Sequence, residues 1–269
     1  MSIITISRGS YSQGTTVAAQ VASRLGYGCI GRDVLLEASK EFNIPEIKLV
    51  RAIENAPSIL ERFTYGKEKY VAFIQAAILR HLRKDNIVYH GFAGHFFVRG
   101  IPHVLKIRII ADLEDRVSRE MEREGISRKE ALRLLKDIDE ERRRWSLHLY
   151  GIDTSDPSLY DLVIHIGRIT VEDAVETITH TVRWKQFQTT PESQKAMEDL
   201  ALSAEVRAAL VNLKPDVVVS AKEGVVYIST KVGESQDAAL IRDLERTAKG
   251  VAGVKEVVLQ GRSQTPYSG

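Results

Sequence analysis

The feature that most constrains the fold is the opening of the chain. Ile3-Ile-Thr-Ile-Ser7 is a β-branched run that stops at Gly9, and from Thr15 to Leu25 the residues Val17, Val21, Ala22 and Leu25 fall on one helical face. Strand, glycine loop and helix follow in that order. The pattern predicts a helix over about Lys67–Arg83, strands over Asn86–His90 and Val104–Ala111, a further strand in Asp161-Leu-Val-Ile-His-Ile, and a helix over Val171–Lys185. Alternation of this kind builds a parallel sheet covered by helices on both faces. The segment 112–150 is highly charged with spaced leucines and predicts two or three solvated helices.

After Trp184 the sequence becomes QFQTTPESQKAMED, polar, with a proline and no apolar period, which predicts a linker over 186–199. A second unit is expected over 200–262. Its pattern gives a helix at Ala204–Leu213, a strand at Asp216–Ala221, a turn at Lys222–Gly224, a strand at Val225–Thr230, a helix at Gln236–Lys249 and a strand at Val254–Leu259, with a frayed tail over 263–269. A chain of 269 residues has room for one large domain, here 1–185, and one small one. With 43% hydrophobic and 28% charged residues it is neither a collagen-like nor a disulfide-scaffold sequence. Cys29 is the single cysteine, so no intrachain disulfide can form and a cysteine-built zinc site is not expected. Lys plus Arg number 38 against 36 Asp plus Glu, so no global field selects nucleic acid or anionic lipid, and any anion site must be local. The N-terminal apolar run is too short for a signal peptide, and no stretch approaches the roughly 20 apolar residues that cross a bilayer, so a cytoplasmic protein is expected.

The loop Gly9-Ser-Tyr-Ser-Gln-Gly14-Thr15-Thr16 stands between strand and helix, where backbone N–H groups and the positive helix end hold phosphate oxygens. Its glycine spacing is that of a phosphate loop. The full motif places a lysine after the second glycine, followed by a Ser or Thr that ligates magnesium. Here Thr15 stands at the lysine position and Thr16 keeps the hydroxyl. A plain strand-to-helix turn would also use two glycines.

ITISRGSYSQGTTVAAQVASRLGY resembles the opening of the cytidylate kinase-like family of P-loop nucleotide kinases. The resemblance continues in order through DNIVYHGFAGHFF, LKIRIIADLEDRVSRE, a basic lid at Asp139-Glu-Glu-Arg142-Arg143-Arg144-Trp145, then Asp156-Pro157, Tyr160-Asp161-Leu-Val-Ile and Arg168, covering roughly 1–185. It implies a P-loop fold in which Arg8, Gly9, Ser10, Ser12, Gly14, Thr15 and Thr16 cradle ATP, Thr16 touches Mg2+, and the lid residues Arg142 and Arg143 neutralise the moving phosphoryl group. Relatives carry Lys or Arg at the Thr15 position; Arg8 or Arg32 could supply the replacement charge. Asp33 is the candidate to contact the acceptor or order the attacking phosphate, and a helix N-cap is its alternative reading. Arg51, Arg62 and Lys67 are candidates for the acceptor phosphate or for a solvated helix face. Relatives often have an arginine where Phe92 stands. His90 and His95 are expected as hydrogen-bonded structural residues rather than as a metal pair. His148, Tyr150 and Asp153 lie close enough in sequence to the lid to touch nucleotide. The run 112–144 holds ten Lys or Arg and eleven Asp or Glu, so most of it needs no function.

The C-terminal unit resembles the BON domain, two helices on a three-stranded sheet, through Gly224-Val-Val-Tyr-Ile, Gly233 and Gly253-Val-Lys-Glu-Val-Val. That resemblance implies a regulatory or self-associating module with a protein partner, while Gly224 suits a tight turn with positive φ. The expectation is an α/β P-loop domain joined to a small α+β module, transferring phosphate from ATP to a nucleoside monophosphate such as CMP. The alternative is a catalytically weak nucleotide sensor acting through the C-terminal module.

Overall fold

The computed structural model describes residues 1–9, 12–31, 33–42, 67–91, 94–230 and 238–261. Five strands, β1 (Ile3–Arg8), β2 (Gly28–Ile30), β3 (Ile87–His90), β4 (Val104–Ala111) and β5 (Leu162–Ile166), form one sheet in the order β2-β3-β1-β4-β5. Every neighbouring pair is parallel. Successive β1 side chains enter opposite cores: Ile3 belongs to one and Ile4 to the other. A strand buried on both faces is expected to be apolar at consecutive positions, as Ile3 and Ile4 are, while the buried Thr5 and Ser7 are polar.

Helices α1 (Gly14–Leu25) and α7 (Val171–Thr181) cover one face with Val17, Val21, Val175 and Ile178. The other face is covered by α3 (Lys67–Leu82), the short α4 (Gly94–Phe97) and α8 (Pro191–Leu210), through Phe73, Phe97, Met197 and Ala204. The helix α2 (Asp33–Glu41) joins α3 at this side. The charged run forms two helices, α5 (Leu113–Glu124) and α6 (Arg128–Tyr150), which share the small cluster Val117, Ala131 and Leu135. Ser127 and Glu130 close a reciprocal capping box at the start of α6.

The largest departure from expectation concerns the polar stretch after Trp184. Residues 191–199 are not extended linker but the first half of α8, a continuous 20-residue helix. Its start is a cap signature: Thr190 and Ser193 exchange hydrogen bonds, and Pro191 occupies the first turn, where no N–H is needed. The helix lacks one apolar period because it serves two cores. Met197, Ala201, Ala204 and Ala208 face α3, whereas Leu202, Val206 and Leu210 join the small C-terminal core. Glu205 reinforces the first contact by pairing with Arg80, which also holds Glu41 of α2.

Beyond α8 the strands β6 (Val218–Lys222), β7 (Val225–Thr230) and β8 (Glu256–Gly261) form a second sheet, with α9 (Ala238–Lys249) between β7 and β8. β6 and β7 are antiparallel, and β7 and β8 parallel. The β6–β7 turn has positive φ at both Glu223 (51°) and Gly224 (88°), as a two-residue hairpin loop of type I′ requires. Among the described residues no helix is long and apolar enough to cross a membrane.

Candidate functional site

In an open parallel sheet, ligands gather beyond the carboxyl ends of the strands, where the chain order reverses. β1 lies in the middle of this sheet, and the glycine loop leaves its carboxyl end. The loop is pinned from below. Gly9 N–H donates to the Ile109 carbonyl at 3.1 Å, and the buried Ser12 hydroxyl lies 3.0 Å from the carbonyls of both Gly9 and Ile109. Gln13 then takes a left-handed conformation, φ 63°, which turns the chain into α1. The first α1 bond runs from Val17 N–H to the Gln13 carbonyl, leaving the amides of Gly14, Thr15 and Thr16 outside the helix ladder. Three such amides at the positive end of a helix suit an anion.

Among the described residues, three hollows border this loop. The first, about 250 Å³, is lined by five arginines, Arg8, Arg108, Arg116, Arg142 and Arg143, against two carboxylates, Asp139 and Asp153. An overall charge of only +2 therefore conceals a concentrated positive cleft. The second hollow is bounded by Gln13, Gly14 and Thr15 of the loop and by Arg119 and Arg123 of α5, with Arg8 again on its wall. Through Gln13 and Arg119 it continues into a third, walled by Ala111, Ile166, Gly167 and Val171 at the ends of β4 and β5.

Tertiary contacts set how the arginines of the first cleft are held. Arg116 is buried and pairs with Asp139 at 2.6 Å, tying α5 to α6. Arg108 donates to the Thr154 carbonyl and, at 3.2 Å, to the Tyr160 hydroxyl, with its guanidinium 5.6 Å from the ring centre. The Tyr160 oxygen also lies 3.0 Å from the Thr154 carbonyl, 3.3 Å from Ser7 Oγ and 3.4 Å from His95 Nε2. Burial, then the charges of Arg108, Arg99 and Lys106, push the His95 imidazole down to about 3, so it enters this network neutral. Asp153 is held below the usual carboxylate range by its hydrogen bonds from Ser155, with Arg143 and Arg108 adding to the effect.

Of the expected lid residues, Arg142 and Arg143 line the cleft. Arg144 does not, and pairs with Glu140 at 2.7 Å. Arg143 also holds Glu140, whose carboxyl is drawn down to about 2 by hydrogen bonds from Arg143 and Arg144. Within the loop, Arg8 and Gly9 line the first hollow, Gly14 and Thr15 the second, and Ser12 is the buried pin. Thr16 is exposed on the first turn of α1 and borders neither. Asp33 opens α2, exposed and away from the cleft wall, near enough for its charge to raise the His90 pKa against the larger effects of burial and Arg8. His95 is the structural, hydrogen-bonded residue expected of it. Ser10, Arg32, Arg51, Arg62, Phe92 and Gly233 lie outside the described residues, as do the side chains of Lys67, His148 and Tyr150.

Arg108, Arg116 and Arg119 are the positions that sequence reasoning did not single out. For Arg108 a signal existed: Lys106 and Arg108 are two apart in an otherwise apolar strand and so face one side of the sheet. Arg116 and Arg119 were hidden in a run of balanced charge, and only their neighbours distinguish them.

The model of the cytidylate kinase-like family matches residues 3–168. A cytidylate kinase of Archaeoglobus fulgidus is 33% identical over 192 residues, covering 69% of this chain and 97% of its own. One from Pyrobaculum aerophilum is 28% identical over 176 residues, covering 65% of this chain and 89% of its own. The crystal structure of an uncharacterized protein from Eubacterium ventriosum shares the fold, with TM-score 0.53, 23% identity, and coverage of 68% of this chain and 98% of that one. With its glycine loop, its arginine cleft and a family match spanning more than half its length, the chain belongs to the cytidylate kinase-like family.

Proposed function

We propose that this protein transfers the terminal phosphoryl group of ATP to a nucleoside monophosphate of the cytidylate type. The observation that carries this reading is the cleft beside the glycine loop, where five arginines from β1, β4, α5 and α6 converge. Phosphoryl transfer needs little covalent help and depends on positioning and on neutralising spread negative charge, which such a cleft supplies. The loop amides and the hollow along α5 suit the donor triphosphate, and the adjoining hollow at Ile166 and Gly167 suits its base. Arg108, Arg142 and Arg143 suit the acceptor phosphate and the group in flight, because guanidinium forks fit phosphate oxygens. The naming of the archaeal relatives as cytidylate kinases supports CMP as the acceptor.

In the transfer, the bond from the γ-phosphorus to the bridging oxygen breaks with its electron pair on the departing ADP. An oxygen of the acceptor phosphate dianion bonds to the same phosphorus. Asp33 is proposed to orient the acceptor from α2, and Arg142 and Arg143 to close the charge over it. Among the described residues no three His, Cys, Asp or Glu side chains cluster to hold a metal. Magnesium in such sites takes few protein ligands, and Thr16, which follows the hollow-lining Thr15 on the first turn of α1, is proposed as its one protein donor. The ion would supply further charge neutralisation on the phosphates.

The division into a transfer unit over 1–185 and a BON-like unit over 200–262 belongs to the same proposal. The order helix, strand, strand, helix, strand and the glycine hairpin support it. That unit is proposed to bind a protein partner or a second copy of the chain. Incubating the purified protein with magnesium, labelled ATP and a panel of CMP, dCMP, UMP, AMP and GMP tests the activity. Labelled CDP or dCDP is expected, with Arg143→Ala lowering turnover about 10²–10³-fold, the range for losing one transition-state donor. Saturable ATP binding with no labelled product from any acceptor would refute it.

A further inference from the structure

We infer that Arg8 is the cation that serves the terminal phosphates of the donor in place of the lysine absent from this loop. The inference rests on the phosphoryl-transfer reading above and adds the residue that makes the loop workable. From Gly9 to Thr16 the sequence is Gly-Ser-Tyr-Ser-Gln-Gly-Thr-Thr, without a single positive charge. A loop that offers only amides leaves most of a triphosphate's charge unneutralised, and an intact motif meets this with its lysine.

The geometry singles out Arg8. It is the last residue of β1 and its side chain runs across the loop's second glycine. A Cβ at Gly14 would stand 2.7 Å from Arg8 Cβ and 3.0 Å from its Cδ. The missing side chain at position 14 is thus what lets the arginine stem cross the loop mouth. Among the described residues, Arg8 alone lines both the arginine cleft and the hollow of Gly14 and Thr15. A phosphoryl group moving from donor to acceptor passes between those two spaces, so this is where a cation helps at both ends of the transfer.

The other cations do not occupy that junction. Arg119 and Arg123 border the donor-side hollow and not the cleft. Arg108, Arg116, Arg142 and Arg143 border the cleft and not the donor-side hollow. The reach of the Arg8 charge is visible at the neighbouring strand, where it adds to burial in lowering the His90 pKa. Thr15 lines the same hollow as Arg8, so a lysine placed there would deliver its ammonium to the same space.

The test compares the wild type with Arg8→Met, Arg8→Lys, Thr15→Lys and the double variant Arg8→Met/Thr15→Lys. Methionine keeps an unbranched stem over Gly14 and removes the charge. The readouts are equilibrium affinities for ATP and AMP, transfer rate to CMP and thermal melting. Arg8→Met is expected to melt near the wild type and to weaken ATP about 10–100-fold while leaving AMP within about twofold, the scale of one charge-assisted hydrogen bond. Its transfer rate is expected to fall about 10²–10³-fold. Arg8→Lys should lie between, and Thr15→Lys should restore the double variant at least tenfold. Wild-type ATP affinity and transfer in Arg8→Met would overturn the inference. So would an equal loss of ATP and AMP affinity that Thr15→Lys fails to relieve, because that pattern marks a structural role. A wild type that binds ATP through Arg8 but phosphorylates no acceptor would sink the kinase reading and leave Arg8 standing. A wild type that binds no ATP would sink both.

Discussion

Replacing His95 by glutamine should flatten the acid side of the stability curve, and the size of the effect follows from the site. The imidazole is 4% exposed and its pKa is pushed from 6.5 to about 3 by burial first, then by Arg108, Arg99 and Lys106. Between those two values the unfolded chain takes up a proton that the folded chain refuses. The stability from the neutral ring is therefore fully present above pH 6.5 and is lost as pH falls toward 3. A tenfold difference in proton affinity is worth about 1.36 kcal/mol, so His95 alone should cost the wild type about 2.5 kcal/mol between pH 7 and pH 4.5. Urea unfolding of the wild type and His95→Gln at both pH values measures it. The exposed carboxylates held by Ser155 and by Arg143 and Arg144 titrate in both proteins and cancel in the difference. His90 and His103, also lowered mainly by burial, cancel in the same way. Equal pH slopes for the two proteins, or an NMR titration placing His95 near its ordinary value, would refute the reasoning.

Two further outcomes follow from packing. Gly14→Ala places a methyl group 2.7 Å from Arg8 Cβ, close to the backbone where neither side can yield. It should cost about 1–3 kcal/mol by overpacking and weaken ATP, and unchanged melting together with unchanged ATP affinity would count against the crossing of Arg8 over the loop. Thr190→Ala removes the side chain that accepts from Ser193 N–H at 3.2 Å and caps α8. A loss of about 0.5–2 kcal/mol is expected, and since α8 packs into both cores the whole chain should melt lower in one transition. Calorimetry showing only the C-terminal unit affected would contradict a shared helix.

The opening strand, glycine loop and helix were legible because each is a local pattern. The strands Val104–Ala111 and Val225–Thr230 have the bounds that their residue patterns predict. The lid arginines Arg142 and Arg143 were legible only through the family resemblance, since the run that holds them has balanced charge. The first half of α8 was not legible, because Met197 is the only residue of 191–199 in an apolar core, so the segment shows no apolar period. Thr190-Pro191 has the composition of a turn and is instead a cap followed by a first helical residue.

By itself the amino-acid order determined what neighbours along the chain can settle: periodicity, turn chemistry, and the replacement of a loop lysine by Thr15. The tertiary structure alone decided the strand order β2-β3-β1-β4-β5 and the meeting of Arg8, Arg108, Arg116, Arg142 and Arg143 around one cleft. Those residues come from β1, β4, α5 and α6, and their encounter depends on which strands pair and on the packing of α5 against α6. No local preference encodes that, because the energy that selects it comes from burying both faces of the sheet at once.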